Sequence, residues 1–194
     1  MQQTHKYNNY EDYINFQLKK TSDKFKHRKW LGKEWRLKIN IFKKLFNSNL
    51  ELIQKSKKAI CFGSRTGQEV VALKELGIED TIGIDLHEFK PYTILGDIHN
   101  LDYIKDTFDF AFSNILDHSI NPEKFISEVY RVLKKNGIFI LHIQFGVDQD
   151  EYTEVIIENI DNIKTLCKSF KLLKTNEINS GIIAMNYEFV FQKL

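Results

Sequence analysis

The sequence AICFGSRTGQE, residues 59–69, joins a short apolar run to a polar turn that contains two glycines. The apolar run predicts a buried β-strand, and residues 68–76 continue as a helix that ends at Gly77. Gly63 and Gly67 remove side chains where the backbone must turn sharply between strand and helix. Such a turn presents free N–H groups to a ligand, although two glycines also occur in a simple tight connection.

The sequence beyond residue 57 alternates short apolar runs with helical segments. Further strands are predicted at residues 81–86, 92–95, 108–113 and 138–145, and helices at residues 122–135 and 151–169. Two more strands, near residues 171–178 and 186–192, follow each other with no helix between them. This order predicts an α/β fold: a doubly wound, Rossmann-like sheet that is mostly parallel and ends in an antiparallel C-terminal hairpin.

The N-terminal residues 1–56 are predicted to form a helical extension that belongs to, or caps, the domain at residues 57–194. Ser22 or Asp23 is placed to cap a helix, and apolar residues recur at helical spacing through residues 25–46. We therefore expect one domain with a helical preface.

The charge of the chain is unevenly distributed. Residues 1–58 contain 15 Lys and Arg against 5 Asp and Glu, whereas the whole chain has a net charge of +2. One interpretation of this basic segment is a solvated helix face whose apolar side packs on the main domain. The other is attraction of an anionic substrate, such as a phosphate-bearing metabolite or RNA.

Two carboxylates stand where predicted strands end. Asp85, followed by Leu86, lies about 20 residues beyond the glycine turn, where a carboxylate can accept hydrogen bonds from both hydroxyls of a ribose. A helix cap is the alternative role for Asp85. Asp97 and Ile98 follow the next strand, where an acid can accept from an exocyclic amine and an apolar side chain can cover an adenine. Together these residues predict an adenosine-containing cofactor.

A polar cluster follows the strand predicted at residues 108–113. It contains Asn114, Asp117 and His118, and ligands of doubly wound sheets collect beyond the carboxyl ends of the strands. His118 is the candidate general base, because a neutral imidazole accepts a proton. Asp117 could orient His118 or act itself, and the alternative role for His118 is to cap the loop or the following helix.

Residues 59–143 resemble a class I S-adenosylmethionine (SAM)-dependent methyltransferase of the type 11-like group. The resemblance rests on the order of GSRTGQE (63–69), GIDL (83–86), GDIHNL (96–101), FDFAFSNILDH (108–118) and EVYRVLKKNGIFIL (128–141). It implies SAM as the cofactor. The residues it implies are Gly63, Ser64, Arg65, Gly67 and Glu69 around the methionine part, Asp85 on the ribose, Asp97 with Ile98 at the adenine, and Asn114 beside the sulfonium.

The glycine turn departs from the family pattern at two positions. Cys61 stands where the family has an acid, and Arg65 stands where it has its middle glycine. Glu69 is the candidate replacement for the acid. Arg65 either pairs with the carboxylate of the cofactor or points to solvent. These departures leave a non-catalytic SAM-binding or partner-binding protein as an alternative to an enzyme.

The sequence thus predicts a SAM-dependent methyltransferase acting on a hydroxyl or amine of a small metabolite, with a sugar or nucleotide-sugar as one candidate by resemblance. An RNA methyltransferase that uses the basic N-terminal helices is the runner-up. No metal site is predicted, since two cysteines and the histidine spacing match none. No apolar run approaches the roughly 20 residues that cross a membrane. The N-terminus lacks the apolar core of a secretory signal, so a cytoplasmic location is expected.

Overall fold

The computed structural model describes residues 1–147 and 150–194. Within these residues the strands are β1 (Gln2–Gln3), β2 (Lys58–Phe62), β3 (Asp80–Asp85), β4 (Thr93–Leu95), β5 (Phe108–Ser113), β6 (Leu133–Ile143), β7 (Val155–Ile156), β8 (Phe170–Glu177) and β9 (Tyr187–Lys193). The helices are α1 (Tyr10–Thr21), α2 (Lys24–Leu31), α3 (Trp35–Asn47), α4 (Leu50–Ile53), α5 (Gln68–Glu75), α6 (Pro122–Val132) and α7 (Asp161–Leu166).

Seven of these strands form one sheet in the order β4-β3-β2-β5-β6-β9-β8. Strands β2 to β6 pair in parallel, and β9 lies antiparallel between β6 and β8. The predicted fold, a mostly parallel Rossmann-like sheet with an antiparallel C-terminal hairpin, is confirmed. The register brings the carboxyl ends of four strands to one edge: Phe62 pairs with Ile84 and with Ser113, and Asp85 pairs with Leu95.

Helices cover both faces of the sheet because the side chains of each strand alternate between them. On one face, Ala59 and Cys61 of β2 pack with the buried apolar residues of α3 and α5. On the other, Ile60 and Phe62 pack with α6, whose buried face contains Phe125, Ile126, Val129 and Val132. The two cores together hold the edge described above in a fixed shape.

The N-terminal residues form separate helices where the spacing suggested one continuous run. The Asp23 side chain caps α2 by accepting from the backbone N–H groups of Phe25 and Lys26. That helix ends at Leu31, with Gly32 as its C-cap. Phe25 is 86% exposed, so Phe25 does not belong to the inner apolar face. Helix α3 provides the buried face instead, with the Phe46 ring edge-on to Phe112, centroids 4.9 Å apart.

Two of the predicted helices differ from the structure, one at its end and one over most of its length. The helix predicted at 122–135 ends at Val132, and Leu133 already pairs with Phe108 as the start of β6. The helix predicted at 151–169 is replaced by the two-residue strand β7 and the short helix α7. The β-branched run at residues 155–157 favours an extended backbone, and β7 pairs with β1 from the other end of the chain.

None of the helices in the described ranges combines the length and the hydropathy that crossing a bilayer requires.

Candidate active site

The glycine turn after β2 is held tightly against its neighbours. The N–H groups of Gly63 and Ser64 both donate to the Ile84 carbonyl, at 2.8 and 3.2 Å. Gly63 has a φ of +68°, and a Cβ there would lie 2.3 Å from Cγ1 of Ile115. Only glycine fits this position, because the backbone is left-handed and the loop after β5 lies directly against it.

The second glycine of the turn packs against the segment that precedes β4. Gly67 also has a positive φ, +83°, and a Cβ there would lie 2.4 Å from Cβ of Tyr92. It borders neither of the two cavities described below. The Ser64 hydroxyl likewise turns inward, 2.9 Å from the Thr93 hydroxyl. Both residues thus make close contacts that hold the shape of the turn.

Asp85 is fixed at the end of β3 by two backbone donors. Its carboxylate accepts from the N–H of Arg65 at 2.9 Å and from the N–H of His87 at 3.1 Å. Burial raises the pKa of Asp85, while the positive charge of Arg65 and the two N–H donors oppose that rise. Because the carboxylate is anchored by backbone groups, its remaining lone pairs keep a fixed direction for further donors.

Asp97 is held by the N-terminal helix as well as by its own loop. Its carboxylate accepts from the backbone N–H of His99 at 2.8 Å and from the Tyr10 hydroxyl at 2.7 Å. Burial acts to raise the pKa of Asp97, but the bonds from His99 and Tyr10 outweigh it and lower that pKa. Asp97 is therefore an ionised acceptor to which α1 is already attached.

A narrow cavity brings together the glycine turn and the ends of β3 and β4. Its lining consists of Gly63, Arg65, Asp85, Leu86, Asp97, Ile98, Ile115 and His118, with Tyr13, Gln17, Lys20 and Thr21 of α1 as a roof. The two carboxylates suit hydroxyl and amine donors, and the aliphatic side chains suit a flat ring. These hydrogen-bond acceptors and apolar side chains together fit an adenosine.

The size of the narrow cavity indicates how an adenosine would enter. Its volume is about 70 Å³, below the roughly 300–1,000 Å³ typical of small-molecule pockets. Since α1 lines it from Tyr13 to Thr21, an outward movement of this helix would enlarge the space for a cofactor.

A wide cavity of about 350 Å³ continues from the narrow one. The two share Lys20, Gly63, Arg65, Ile115 and His118, so they are the two ends of one cleft. Among the predicted residues, the wide cavity is also bordered by Ser64, Glu69, Asn114 and Asp117.

Arg65 points into the cleft and not to bulk solvent. Its guanidinium carbon lies 4.3 Å from the centroid of the Trp30 ring, a cation–π geometry. Arg65 itself has a φ of +49°, so a side chain occupies a left-handed position that favours glycine. The packing on Trp30 favours this conformation and aims the charge at the junction of the two cavities.

Glu69 lies behind Arg65 at the start of α5 and is 4% exposed. Burial raises its pKa from 4.5 to about 8, with Arg65 and Lys38 acting in the opposite direction. Glu69 is therefore largely protonated at neutral pH, and a further positive charge beside it would favour its ionised form. Cys61, by contrast, is completely buried inside the sheet core and contributes nothing to the cleft.

His118 lies at the junction of the cavities in a defined tautomer. Its Nδ1 is 2.8 Å from the Tyr152 carbonyl, which can only accept, so Nδ1 carries a proton. Its Nε2 is 3.1 Å from Nζ of Lys20. Asp117 Oδ2 is 3.7 Å from the same Nε2, too far for a hydrogen bond. The group that orients His118 is thus the Tyr152 carbonyl, with Asp117 as a nearby carboxylate.

The sequence reasoning missed the contribution of α1. Tyr10, Tyr13, Gln17 and Lys20 lie three or four residues apart, which places them on one side of a helix. The Tyr13 hydroxyl donates to the His118 carbonyl at 3.0 Å, and the Gln17 side chain donates to the Tyr152 carbonyl at 2.9 Å. The spacing was a usable signal, but nothing in the sequence says which part of the sheet this face covers.

Comparisons with known proteins agree with this geometry. Residues 60–141 match the family described as a methyltransferase domain. A search of curated proteins gave no match.

Among solved structures, the chain is similar to 1,6-didemethyltoxoflavin-N1-methyltransferase from Burkholderia thailandensis, which holds 1,6-didemethyltoxoflavin and S-adenosylhomocysteine. The TM-score is 0.70 and the identity 13%, covering 98% of this chain and 92% of that one. A SAM-dependent methyltransferase from Archaeoglobus fulgidus gives 0.68 and 14%, covering 88% and 100%. The PH0226 protein from Pyrococcus horikoshii gives 0.66 and 18%, covering 84% and 92%. At these identities the likeness is one of fold.

Proposed function

We propose that this chain is a class I methyltransferase that uses SAM as its cofactor and methylates a hydroxyl or an amine of a small metabolite. The observation that carries the proposal is the single cleft in which the carboxylates of Asp85 and Asp97 lie at the narrow end and His118 stands where the wide end begins. The narrow end suits the cofactor, and the wide end has room for an acceptor.

The residues assigned to the cofactor follow from this cleft. Asp85 would hold the ribose. Asp97, Leu86 and Ile98 would contact the adenine. The backbone of Gly63 would lie next to the methionine part. Arg65 is placed to pair with the carboxylate of the cofactor. Glu69, once ionised, would pair with the ammonium group of the cofactor. Asn114 borders the wide end, where the methyl group would emerge. When bound, the cofactor supplies a methyl group already activated on a sulfonium.

The part left to the protein is orientation and the removal of one proton. His118 presents its Nε2 lone pair to the cleft because Nδ1 is bound to the Tyr152 carbonyl. For a hydroxyl acceptor, Nε2 takes the proton as oxygen attacks. An amine acceptor that is already neutral needs no base, and the cleft then acts through positioning alone.

A small acceptor suits the wide cavity, whose volume of about 350 Å³ lies at the lower end of small-molecule pockets. The Burkholderia thailandensis structure contains 1,6-didemethyltoxoflavin and S-adenosylhomocysteine. The resemblance noted from the sequence keeps sugars and nucleotide-sugars among the candidates. No described feature gives RNA a comparable argument, so RNA enters as an outcome of the test.

The test is a methyl-transfer assay with SAM labelled on the methyl group and a fractionated metabolite extract. We expect label in a low-molecular-weight product. Label in RNA alone would replace this proposal with the RNA alternative. Calorimetric SAM binding without transfer to either pool would indicate a non-catalytic SAM-binding protein, and no binding at millimolar SAM would contradict the function altogether.

A further inference from the structure

The wide cavity carries an excess of positive charge. Its basic side chains are Lys20, Lys26, Lys29, Lys38 and Arg65, and its acidic ones are Glu34, Glu69, Asp117 and Asp150. Burial keeps Glu69 largely protonated at neutral pH, since its pKa is raised to about 8. The ionised carboxylates in the lining are therefore outnumbered by the cations.

The excess can be located on individual residues. Lys29 and Lys38 share one carboxylate, Glu34, at 3.0 and 3.1 Å. Lys20 pairs with Asp150. Lys26 pairs with no carboxylate in the described ranges, and its Nζ lies 5.0 Å from the centroid of the Tyr152 ring. Lys26, Arg65 and one of the two lysines at Glu34 thus have no carboxylate partner of their own among the described residues.

Arg65 lies close enough to Lys20 and to Lys38 to repel both of them. The pKa of Lys20 and that of Lys38 are lowered by burial first and by the charge of Arg65 second, while their carboxylate partners oppose the change. Gathering like charges in a partly buried space costs free energy. An anion entering the same space would relieve that cost.

Two basic residues of α3 that do not border the cavity share one carboxylate of α5. Arg36 and Lys43 both pair with Glu75 of α5, at 2.6 and 2.9 Å. The cations of the wide cavity, by contrast, line a concave space. A compact anion fits inside such a space, whereas an extended polyanion needs a broad basic face.

We propose that the wide cavity recognises a methyl acceptor through a phosphate or carboxylate group, bound by Lys26 together with Lys29. This inference rests on the proposed function, because it assigns the wide end of the cleft to the acceptor. Lys26 lies in the first turn of α2 and Lys29 in the second, three residues apart, so one helix face presents both. Arg65 stays at the junction, available for the carboxylate of the cofactor.

The experiment titrates the complex with S-adenosylhomocysteine by calorimetry, using sodium pyrophosphate and sodium succinate as probes at low, matched ionic strength. We expect Lys26→Ala to weaken binding of the better probe about tenfold, as for loss of one charge-assisted contact, and Lys26→Arg to retain most of it. Lys24→Ala is the matched control, since Lys24 lies on the same helix, is exposed, and does not border the cavity. Thermal melting of each variant verifies folding.

The outcomes separate the two proposals. Stronger binding of pyrophosphate assigns a phosphate-bearing acceptor, and stronger binding of succinate a carboxylate-bearing one. Absence of binding by both probes, or equal losses in Lys24→Ala and Lys26→Ala, overturns the anion site while S-adenosylhomocysteine binding still supports the methyltransferase. Tight binding of a single-stranded RNA oligonucleotide, weakened equally by both variants, also overturns it. Loss of S-adenosylhomocysteine binding in the unaltered protein contradicts the proposed function itself.

Discussion

The Nζ of Lys20 lies 3.1 Å from Nε2 of His118, on the side of the imidazole that faces the cleft. The other nitrogen is bound to the Tyr152 carbonyl at 2.8 Å. The lysine belongs to α1 and the histidine to the loop after β5, so a helix from the start of the chain contacts the candidate base. An acceptor hydroxyl must take the place of Lys20 before Nε2 can accept its proton.

Replacing His118 tests this arrangement. We expect His118→Ala to bind SAM within about twofold of the unaltered protein but to transfer methyl to a hydroxyl acceptor about 10²–10⁴ times more slowly, the usual contribution of a general base. The measurement is the initial rate of labelled-methyl transfer at saturating SAM. His5→Ala serves as the control because His5 borders neither cavity. An unchanged rate would remove His118 as the base.

Asp85 should be needed for the cofactor more than for folding. Asp85→Asn is expected to weaken S-adenosylhomocysteine binding at least about tenfold, since an amide offers one acceptor where the carboxylate offers two. Isothermal calorimetry measures the change. Asp80→Asn, at the exposed start of the same strand, should leave the affinity unaltered. Equal affinities in the two variants would show that Asp85 does not contact the cofactor.

The close contact at Gly63 can be separated from its backbone strain. Gly63 and Gly146 both have a φ of +68°, but a Cβ at Gly63 would meet Ile115 at 2.3 Å and one at Gly146 would meet no described atom within 4 Å. Gly146→Ala therefore measures the strain of the left-handed backbone alone, about 1 kcal/mol. Gly63→Ala should lower the free energy of unfolding by about 1–3 kcal/mol more than that. Urea denaturation gives both values, and equal losses would contradict the packing of Gly63 on Ile115.

The buried carboxyl of Glu69 gives stability a specific pH dependence. Its pKa is raised by burial from 4.5 to about 8 in the folded protein. Between these values the unfolded chain has released the proton and the folded chain retains it, so the free energy of unfolding falls as pH rises. We expect a loss of more than about 1 kcal/mol from pH 5 to pH 8.

Glu69→Gln should remove that pH dependence. The variant keeps a neutral side chain at every pH, so its melting temperature at pH 8 should exceed that of the unaltered protein. Glu79→Gln, at an exposed position, should leave the dependence in place. A parallel decline of stability with pH in Glu69→Gln and in the unaltered protein would assign the effect to other groups.

The roof formed by α1 predicts a barrier to cofactor entry. Tyr10 fastens the start of this helix to Asp97 through a 2.7 Å hydrogen bond. Tyr10→Phe should speed the association of S-adenosylhomocysteine by several-fold, measured by stopped-flow tryptophan fluorescence of Trp30 and Trp35. Tyr103→Phe is the control, since Tyr103 borders neither cavity. An association rate unaffected by Tyr10→Phe would indicate that α1 opens without breaking this bond.

Local patterns determined the sheet of this protein and the positions of its loops. Alternation and turn residues identified β2, β3, β5 and the C-terminal pair, because each depends on neighbours within a few residues. The prediction for residues 151–169 was wrong because β7 pairs with β1, more than 150 residues away. No pattern within a short window contains information about such a partner.

The amino-acid sequence by itself determined which residues stand at the carboxyl ends of the strands: Gly63, Asp85, Asp97 and His118 follow strands that must run parallel in an α/β sheet. Only the tertiary structure decided which of them line the cleft and what else does. It packed Gly67 and the Ser64 hydroxyl against residues 92 and 93, placed α1 over the narrow cavity, and placed Lys26 at the wide one. The physical reason is that strand ends are positioned by hydrogen bonds of fixed register, whereas the placement of a helix on a surface depends on the summed contacts of many distant side chains.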